Sequence, residues 1–107
     1  MANTFKRAVL PNIDAALATV YTVPAATTSV VIGLTLANIL GSSITVSAQL
    51  VTAGGAVYVA KNIPIPSGAA IEIMAGNKYV METGDVLKVS GSATDSVDAT
   101  LSYMNIT

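Results

Sequence analysis

The sequence has 107 residues, which is enough for one domain, and it contains no cysteine, no histidine and no tryptophan. Charged residues make up 10% of the chain, where an average soluble domain has about 25%, and the formal net charge is −1. This composition excludes a disulfide framework, a cysteine nucleophile or zinc site, a histidine general base and a phosphate-binding basic surface. We therefore expect a protein that is not an enzyme, with no catalytic residue, no cofactor, no metal ion and no nucleic-acid partner.

The first 18 residues form a segment whose pattern differs from the rest of the chain. Pro11 prevents one continuous helix there, and residues 14–18 are too few to hold a helix on their own. We predict an extended N-terminal arm or first strand over residues 1–18, followed by a β-sandwich domain over residues 19–107. Such an arm can close the sheet of its own domain or add to the edge of a neighbouring copy's sheet.

From Thr19 onward the chain alternates between apolar segments, rich in Val, Ile and Thr, and residues that favour turns. The segments predict strands over residues 19–23, 29–38, 44–52, 57–63, 68–75, 78–81, 86–90 and 97–106. Turns are predicted at residues 41–43, at the hairpin Gly54-Gly55, at Gly76-Asn77 and at residues 82–85. In the last of these turns we expect Gly84 to supply a positive φ. Pro64 and Pro66 confine the intervening chain to a loop or to the edge of a sheet.

Alternation along each strand predicts which side chains share a face of the sheet. The inward side chains of two strands are predicted to be Ile44, Val46, Ala48 and Leu50, and Leu87 and Val89. The strand over residues 29–38 is predicted to place Val30, Ile32, Leu34 and Leu36 on one face and Val31, Gly33, Thr35 and Ala37 on the other. In the last strand two possibilities stay open, with either Leu101 and Tyr103 or Met104 and Ile106 facing the core.

Eight or nine short strands with almost no helix predict a single all-β domain, an antiparallel β-sandwich or jelly roll with an extended N-terminal arm. A membrane span is not expected, because the most apolar stretch, residues 30–40, is shorter than the ~20 residues that a spanning helix needs. Lys6 and Arg7 followed by apolar residues resemble the start of a signal peptide, but Pro11 and Asp14 interrupt the apolar part. We therefore expect no cleaved signal and synthesis inside the cell.

The outward faces of the predicted strands carry Thr, Ser and Ala far more often than Lys or Glu. Charge is the usual protection of strands against pairing with other chains, so a monomer with this surface would tend to associate. The simplest resolution is burial of part of the surface in an oligomer or a larger assembly; the alternative is that hydration of Thr and Ser suffices. The candidate assembly contacts in the arm are Phe5, Lys6, Arg7, Val9 and Leu10. Lys6 and Arg7 either dock on an acidic partner surface or belong to a solvated terminus.

Two pairs of acidic residues and the four tyrosines are candidates for binding, and each has a simpler explanation. Glu82 and Asp85 flank a turn glycine, where Asp85 is expected to hydrogen-bond the backbone of its own turn. Asp95 and Asp98 share a loop but supply too few oxygen ligands for calcium. The tyrosines lie on four different predicted strands, so we expect core or rim positions rather than one sugar-binding face; they are Tyr21, Tyr58, Tyr79 and Tyr103.

The order of turns and strands also resembles that of a known class of proteins. The segments that carry the resemblance are Tyr21-Thr22-Val23-Pro24 before a long apolar strand ending at Asn38, then Ile63-Pro64-Ile65-Pro66-Ser67-Gly68, residues 79–90 and Ala99-Thr100-Leu101-Ser102-Tyr103. From residue 21 to residue 107 this arrangement resembles the small β-sandwich structural proteins of tailed-bacteriophage virions, which act as capsid decoration, neck or tail accessory proteins. The resemblance implies no catalytic residues, a homo-oligomer that is often trimeric, and attachment to the particle through extended termini.

These observations predict a non-enzymatic virion protein of a tailed phage, made in the host cytoplasm, that self-associates and attaches to the capsid surface, as decoration or cement, or to the neck or tail. Its expected partners are copies of itself and other virion proteins, such as the major capsid or tail proteins, with no membrane. Removal of residues 1–14 is expected to abolish attachment and to leave the sandwich folded. The alternative is a carbohydrate-binding or adhesin-type β-sandwich module. A small enzyme is a third possibility, which the absence of histidine and cysteine disfavours.

Overall fold

The computed structural model describes residues 3–74 and 78–107, and the turn predicted at Gly76-Asn77 lies outside these ranges. Within them the chain forms strands and turns, and no helix of the length and apolarity needed to cross a membrane is found. The described strands are β1 (Asn3–Ile13), β2 (Ala18–Thr22), β3 (Thr28–Asn38), β4 (Ile44–Thr52), β5 (Gly55–Ile65), β6 (Ala70–Glu72), β7 (Tyr79–Met81), β8 (Val86–Ser90) and β9 (Val97–Ile106).

The strands form two antiparallel sheets that pack face to face. The first sheet has the order β1-β9-β3, with both β6 and β7 paired to the far side of β3, and the second has the order β2-β8-β4-β5. Strands of the first half pair with strands counted back from the C-terminus: β1 with β9, β2 with β8, β3 with β7 and β6, and β4 with β5. The chain is therefore one long hairpin wound around itself, which is a jelly roll. This confirms the predicted fold class.

The inner faces of the two sheets meet in one apolar core. β4 and β8 alternate as predicted, and their buried side chains include Ile44, Val46, Ala48, Leu87 and Val89. β9 turns Leu101 and Tyr103 inward, which decides between the two faces that the sequence left open. Because these strands each present one apolar face to the core, a slip by one residue would expose the whole set, so the core itself fixes their register.

β3 does not keep one alternation from end to end, because the register with β9 shifts between Val31 and Gly33. Val31 is 1% exposed and Leu34 is 0% exposed, whereas Ile32 between them is 37% exposed. An extra residue in one strand of a pair, a β-bulge, exchanges the inward and outward positions beyond it. The prediction that placed Val30 and Ile32 on the same face as Leu34 is therefore wrong.

The bulge in β3 is held by a carboxylate from β6, which ends at Glu72 instead of continuing to residue 75. Oε2 of Glu72 accepts hydrogen bonds from the backbone N–H groups of Leu34 (2.7 Å) and Met74 (3.0 Å). Oε1 accepts one from the hydroxyl of Thr35 at 3.1 Å. Gly33 allows this close approach, since a Cβ there would lie 3.1 Å from Oε1. The carboxylate thus supplies acceptors to β3 in the gap where β6 has ended and β7 has not begun.

The hairpin between β4 and β5 also differs in detail from its prediction. Thr52 pairs with Gly55, so the turn is centred on Ala53 and Gly54, one residue earlier than the Gly54-Gly55 pair. β5 then runs on through Pro64 to the end of the strand. Proline cannot donate a ladder hydrogen bond, and it is tolerated here because β5 lies at the edge of its sheet.

The N-terminal segment forms β1, which is an edge strand of the first sheet. β1 pairs with β9 from Asn3 to Ile13, with an irregularity between Leu10 and Ile13. Ile13 is 2% exposed and belongs to the core, and Leu10 packs against that core. An extended arm can pair within its own domain or with a neighbouring copy, and here β1 pairs with β9 of the same chain. Deletion of residues 1–14 would therefore remove a strand of the sandwich together with any attachment surface.

We expect Glu72→Ala to lower the free energy of unfolding by about 1–3 kcal/mol, because the N–H groups of Leu34 and Met74 lose their acceptor. Glu82→Ala is the matched control, since Glu82 is exposed and contributes its backbone N–H, to Asp85, rather than its side chain. The control should change stability by less than about 0.5 kcal/mol. Urea unfolding measures both, and equal losses in the two variants would contradict the role assigned to Glu72.

Candidate assembly surface

Three aspartate side chains, those of Asp14, Asp85 and Asp98, accept hydrogen bonds from backbone N–H groups. Asp85, 8% exposed, accepts the N–H of Glu82 at 3.0 Å and so closes its own turn as predicted, with Gly84 at φ +89°. Asp98 accepts the N–H of Asn12 at 2.9 Å. Asp14 accepts the N–H of Asp95 at the same distance. In the described part of the chain, no three acidic, histidine or cysteine side chains are grouped in a way that could hold a metal ion.

Two of the tyrosines form part of a polar cluster that joins the two sheets. The rings of Tyr21, on β2, and Tyr103, on β9, lie 4.2 Å apart between centroids. The hydroxyl of Tyr21 lies 2.7 Å from the Ser29 hydroxyl and donates to Oδ1 of Asn105 at 3.1 Å. Ser29 donates to the same oxygen at 2.6 Å and is 0% exposed. A serine without solvent access cannot attack a substrate, so this cluster is structural.

The other two tyrosines line a groove on the open side of the sandwich, between β5 and β7. The groove has a volume of about 350 Å³, and its walls include Tyr58, Tyr79, Val57 and Lys78. Tyr58 is 46% exposed, and the ammonium group of Lys61 lies 4.6 Å from its ring centroid. The four tyrosines are thus divided between an internal cluster and a rim, which is the distribution expected for core and rim residues.

The two long edge strands carry features that oppose pairing with another chain. These strands are β1 and β5, with 11 residues each, while the other edge strands are short, with three residues in β6 and in β7 and five in β2. Three of the five cationic residues lie on the two long edges, namely Lys6, Arg7 and Lys61, and each long edge also contains a proline, Pro11 or Pro64. Lysine, proline and short strands are the usual protection of exposed edges. Both long edges therefore carry cationic residues and a proline where strand addition would occur.

The outer face of the first sheet is less protected. Cross-strand pairing aligns Phe5 with Met104, Met104 with Val30, and Val30 with Val80, so one apolar row crosses β1, β9, β3 and β7. Phe5 is 75% exposed and Val80 is 62% exposed, while Met104 and Val30 are partly exposed. We call these four residues the apolar row. Side chains directly opposite one another on a sheet face touch, so the row is a continuous strip.

The rest of this outer face is mostly small and neutral. The next row along the strands joins Arg7, Ser102 and Gly33, and the row after it joins Val9, Thr100, Thr35 and Glu72. The outer face of the second sheet has a more polar row in the corresponding central place, Thr19, Lys88, Gln49 and Tyr58. The two outer faces therefore differ, and the first is the candidate assembly surface.

The five contacts proposed from the sequence divide between the two sides of β1. Phe5, Arg7 and Val9 pair with outward residues of β9 and lie on the candidate assembly surface. Leu10 packs on the core, and Lys6 shares its inward side at the exposed end of the strand. Sequence reasoning missed Met104, Val30 and Val80, because only the register of four strands that are distant in sequence brings them beside Phe5.

Compared by sequence, the chain matches no protein-family model and no curated protein. Compared by structure, it is similar to a chain of the Bacillus endospore appendages, which are disulfide-linked pili, with a TM-score of 0.57 and 13% identity over 98% of this chain and 88% of that one. It is also similar to a protein of the T13 particle of infectious bursal disease virus, with a TM-score of 0.56 and 9% identity. The second match covers 96% of this chain but 30% of the viral one. At these identities the similarity establishes the fold, a small β-sandwich.

The tyrosine cluster predicts how stability depends on alkaline pH. Burial, and then the neighbouring Tyr21, raise the pKa of Tyr103 above its usual value of 10.0. A phenol whose pKa is raised by folding contributes stability below its ordinary pKa, and this contribution is lost as the pH rises through the folded value. We expect Tyr103→Phe to lose less stability than the parent protein between about pH 9 and pH 11, measured by urea unfolding. Tyr58→Phe, at the surface, is the matched control, and an unchanged pH dependence in Tyr103→Phe would contradict this account.

Proposed function

We propose that this protein is a non-enzymatic structural protein of a tailed-phage virion, which self-associates and attaches to the capsid surface as decoration or cement, or to the neck or tail. The observation that carries the proposal is the exposed apolar row on an otherwise complete jelly roll. A single soluble copy would leave Phe5 and Val80 largely in water, at 75% and 62% exposure. Burial of that surface against other subunits would stabilise an assembly by about 25 cal/mol per Å².

The structural comparisons support this class of function. Two of the proteins with a similar fold belong to a pilus and to a viral particle, and the pilus protein is similar over 88% of its own length. The pili are disulfide-linked, but this chain has no cysteine. Copies of this chain therefore cannot be joined by disulfides. A surface of apolar and small side chains is suited to non-covalent contacts instead.

Self-association is the first property to test. The resemblance noted from the sequence favours a trimer. For a trimer or any other closed oligomer, the mass in solution should be a whole-number multiple of the 10.8 kDa of one chain. Sedimentation velocity over a range of protein concentrations measures that mass directly. A single species of one-chain mass at all concentrations would contradict the proposed self-association.

Attachment to a particle through the N-terminal segment is a separate part of the proposal. Because Ile13 belongs to the core, point substitutions test it better than deletion of residues 1–14. Lys6→Glu reverses the charge of an exposed side chain in this segment, so we expect the fold to persist and particle binding to fall. Co-sedimentation with particles lacking the protein measures the binding, and full binding by the folded variant would overturn this part.

The alternative is a carbohydrate-binding or adhesin-type module, which the groove at Tyr58 and Tyr79 favours. Its volume of about 350 Å³ lies within the range of small-molecule pockets, and the exposed ring of Tyr58 is a suitable platform for a sugar. A glycan array would detect such binding. If the groove is the site, Tyr58→Ala abolishes the signal while Tyr21→Phe retains it; an array without hits removes this alternative.

A further inference from the structure

The outer face of the first sheet is large enough to form a stable contact by itself. β9 has ten residues, and β6 and β7 supply three residues each to the fourth strand position. At about 3.4 Å per residue and 4.8 Å between strands, the face covers roughly 590 Å². Two such faces in contact would bury roughly 1,200 Å² in total, at the lower end of the usual size of specific protein interfaces. Phe5, Val9 and Val80 are each more than half exposed on this face.

We infer that this face is an interface between two copies of the chain, related by a two-fold axis that runs parallel to the strands between β9 and β3. The inference rests on the proposed self-associating structural role and names the surface and the partner that the role uses. A two-fold contact requires a patch that is complementary to itself, and the arrangement of side chains on this face meets that requirement.

The apolar row is complementary to itself under this axis. The axis exchanges β1 with the strand position of β7 and β6, and β9 with β3, while each row stays at its own height along the strands. Phe5 of one copy then lies over Val80 of the other, and Met104 lies over Val30. All four residues of the row are buried at once, and aligned sheets pack about 10 Å apart in this manner in β-sandwiches.

The charges of this face also match under the same axis. Arg7 lies on the outer side of β1, beside Ser102, and Glu72 lies at the end of β6 on the opposite edge of the face. The exchange of β1 with β6 brings Arg7 of one copy toward Glu72 of the other. A two-fold axis perpendicular to the strands would instead place β1 over β1 and bring the two copies of Arg7 together. Like-charge contacts across an interface are costly, so the charges favour the axis parallel to the strands.

Pairing of sheet edges is the other way in which two copies could meet, and the two long edges oppose it. β1 carries Lys6, Arg7 and Pro11, so antiparallel addition of β1 to β1 would bring cations together and meet a residue that cannot donate. β5 carries Lys61 and Pro64. The apolar row on the face, in contrast, contains no charge and no proline. The cations and prolines of the two long edges thus disfavour edge pairing there and favour a contact through faces.

The test uses two pairs of variants that match in chemistry and differ in face. Val80→Lys changes the apolar row, and Thr19→Lys places the same cation at an exposed β-branched residue on the outer face of the second sheet. Arg7→Glu changes the outer side of β1, and Lys6→Glu makes the same charge change on its inner side. Sedimentation equilibrium of the full chain and all four variants measures the association, and urea unfolding checks that each variant keeps the parental midpoint.

We expect the parent protein to have an even number of subunits, a dimer or, if trimers form through another surface, a hexamer. Val80→Lys and Arg7→Glu should each weaken association at least about tenfold, while Thr19→Lys and Lys6→Glu leave it unchanged. If Val80→Lys fails to fold, the Arg7 and Lys6 pair decides alone.

An odd number of subunits, or equal weakening within each matched pair, would overturn the face contact and leave the proposed function standing. A parent protein that stays monomeric at all concentrations would overturn both, and would mean that this face meets a different protein or none.

Discussion

The pairing of β9 with β1 on one side and with β3 on the other is the interaction on which the rest of the molecule depends. Both ladders run along almost the whole of β9. They join the N-terminal, C-terminal and third strands, so they close the long hairpin into a jelly roll. The same two ladders fix the face on which every side chain of the first sheet lies. The register of β9 with its two neighbours therefore places Tyr103 in the polar cluster between the sheets and Phe5 in the apolar row on the outer face.

Much of the fold follows from the sequence because alternation is a local property. β8 and β9 each alternate without interruption, and β4 buries Ile44, Val46 and Ala48 as predicted, although Ser47 between them is buried as well. The limits of all three strands agree with the pattern of apolar residues. β3 does not keep one alternation, since one extra residue near Ile32 reverses its faces. The carboxylate of Glu72 that holds this bulge lies 38 residues from Leu34. The two partners are too far apart in the sequence for a local pattern to connect them, so neither the bulge nor the early end of β6 could be predicted.

The candidate surface shows the same division between local and long-range information. Phe5, Arg7 and Val9 were identified from the sequence because they stand out in a short segment. Met104, Val30 and Val80 could not be grouped with them before the register of four strands was known. The fold also shows where the few charged residues lie, which make up 10% of the chain. Three of the five cations protect the two long edges, and the broad face between the edges is left to Thr, Ser and apolar side chains.

The central claim, that copies of this chain meet through the outer face of the first sheet, can be tested by thiol cross-linking because the chain has no cysteine. Ser102→Cys places one thiol near the centre of that face, and Thr19→Cys places one on the outer face of the second sheet. With a bifunctional thiol reagent that spans about 10 Å, the spacing of packed sheets, Ser102→Cys should give a covalent dimer in high yield and Thr19→Cys should not. A dimer from Thr19→Cys alone, or from neither variant, would contradict the account.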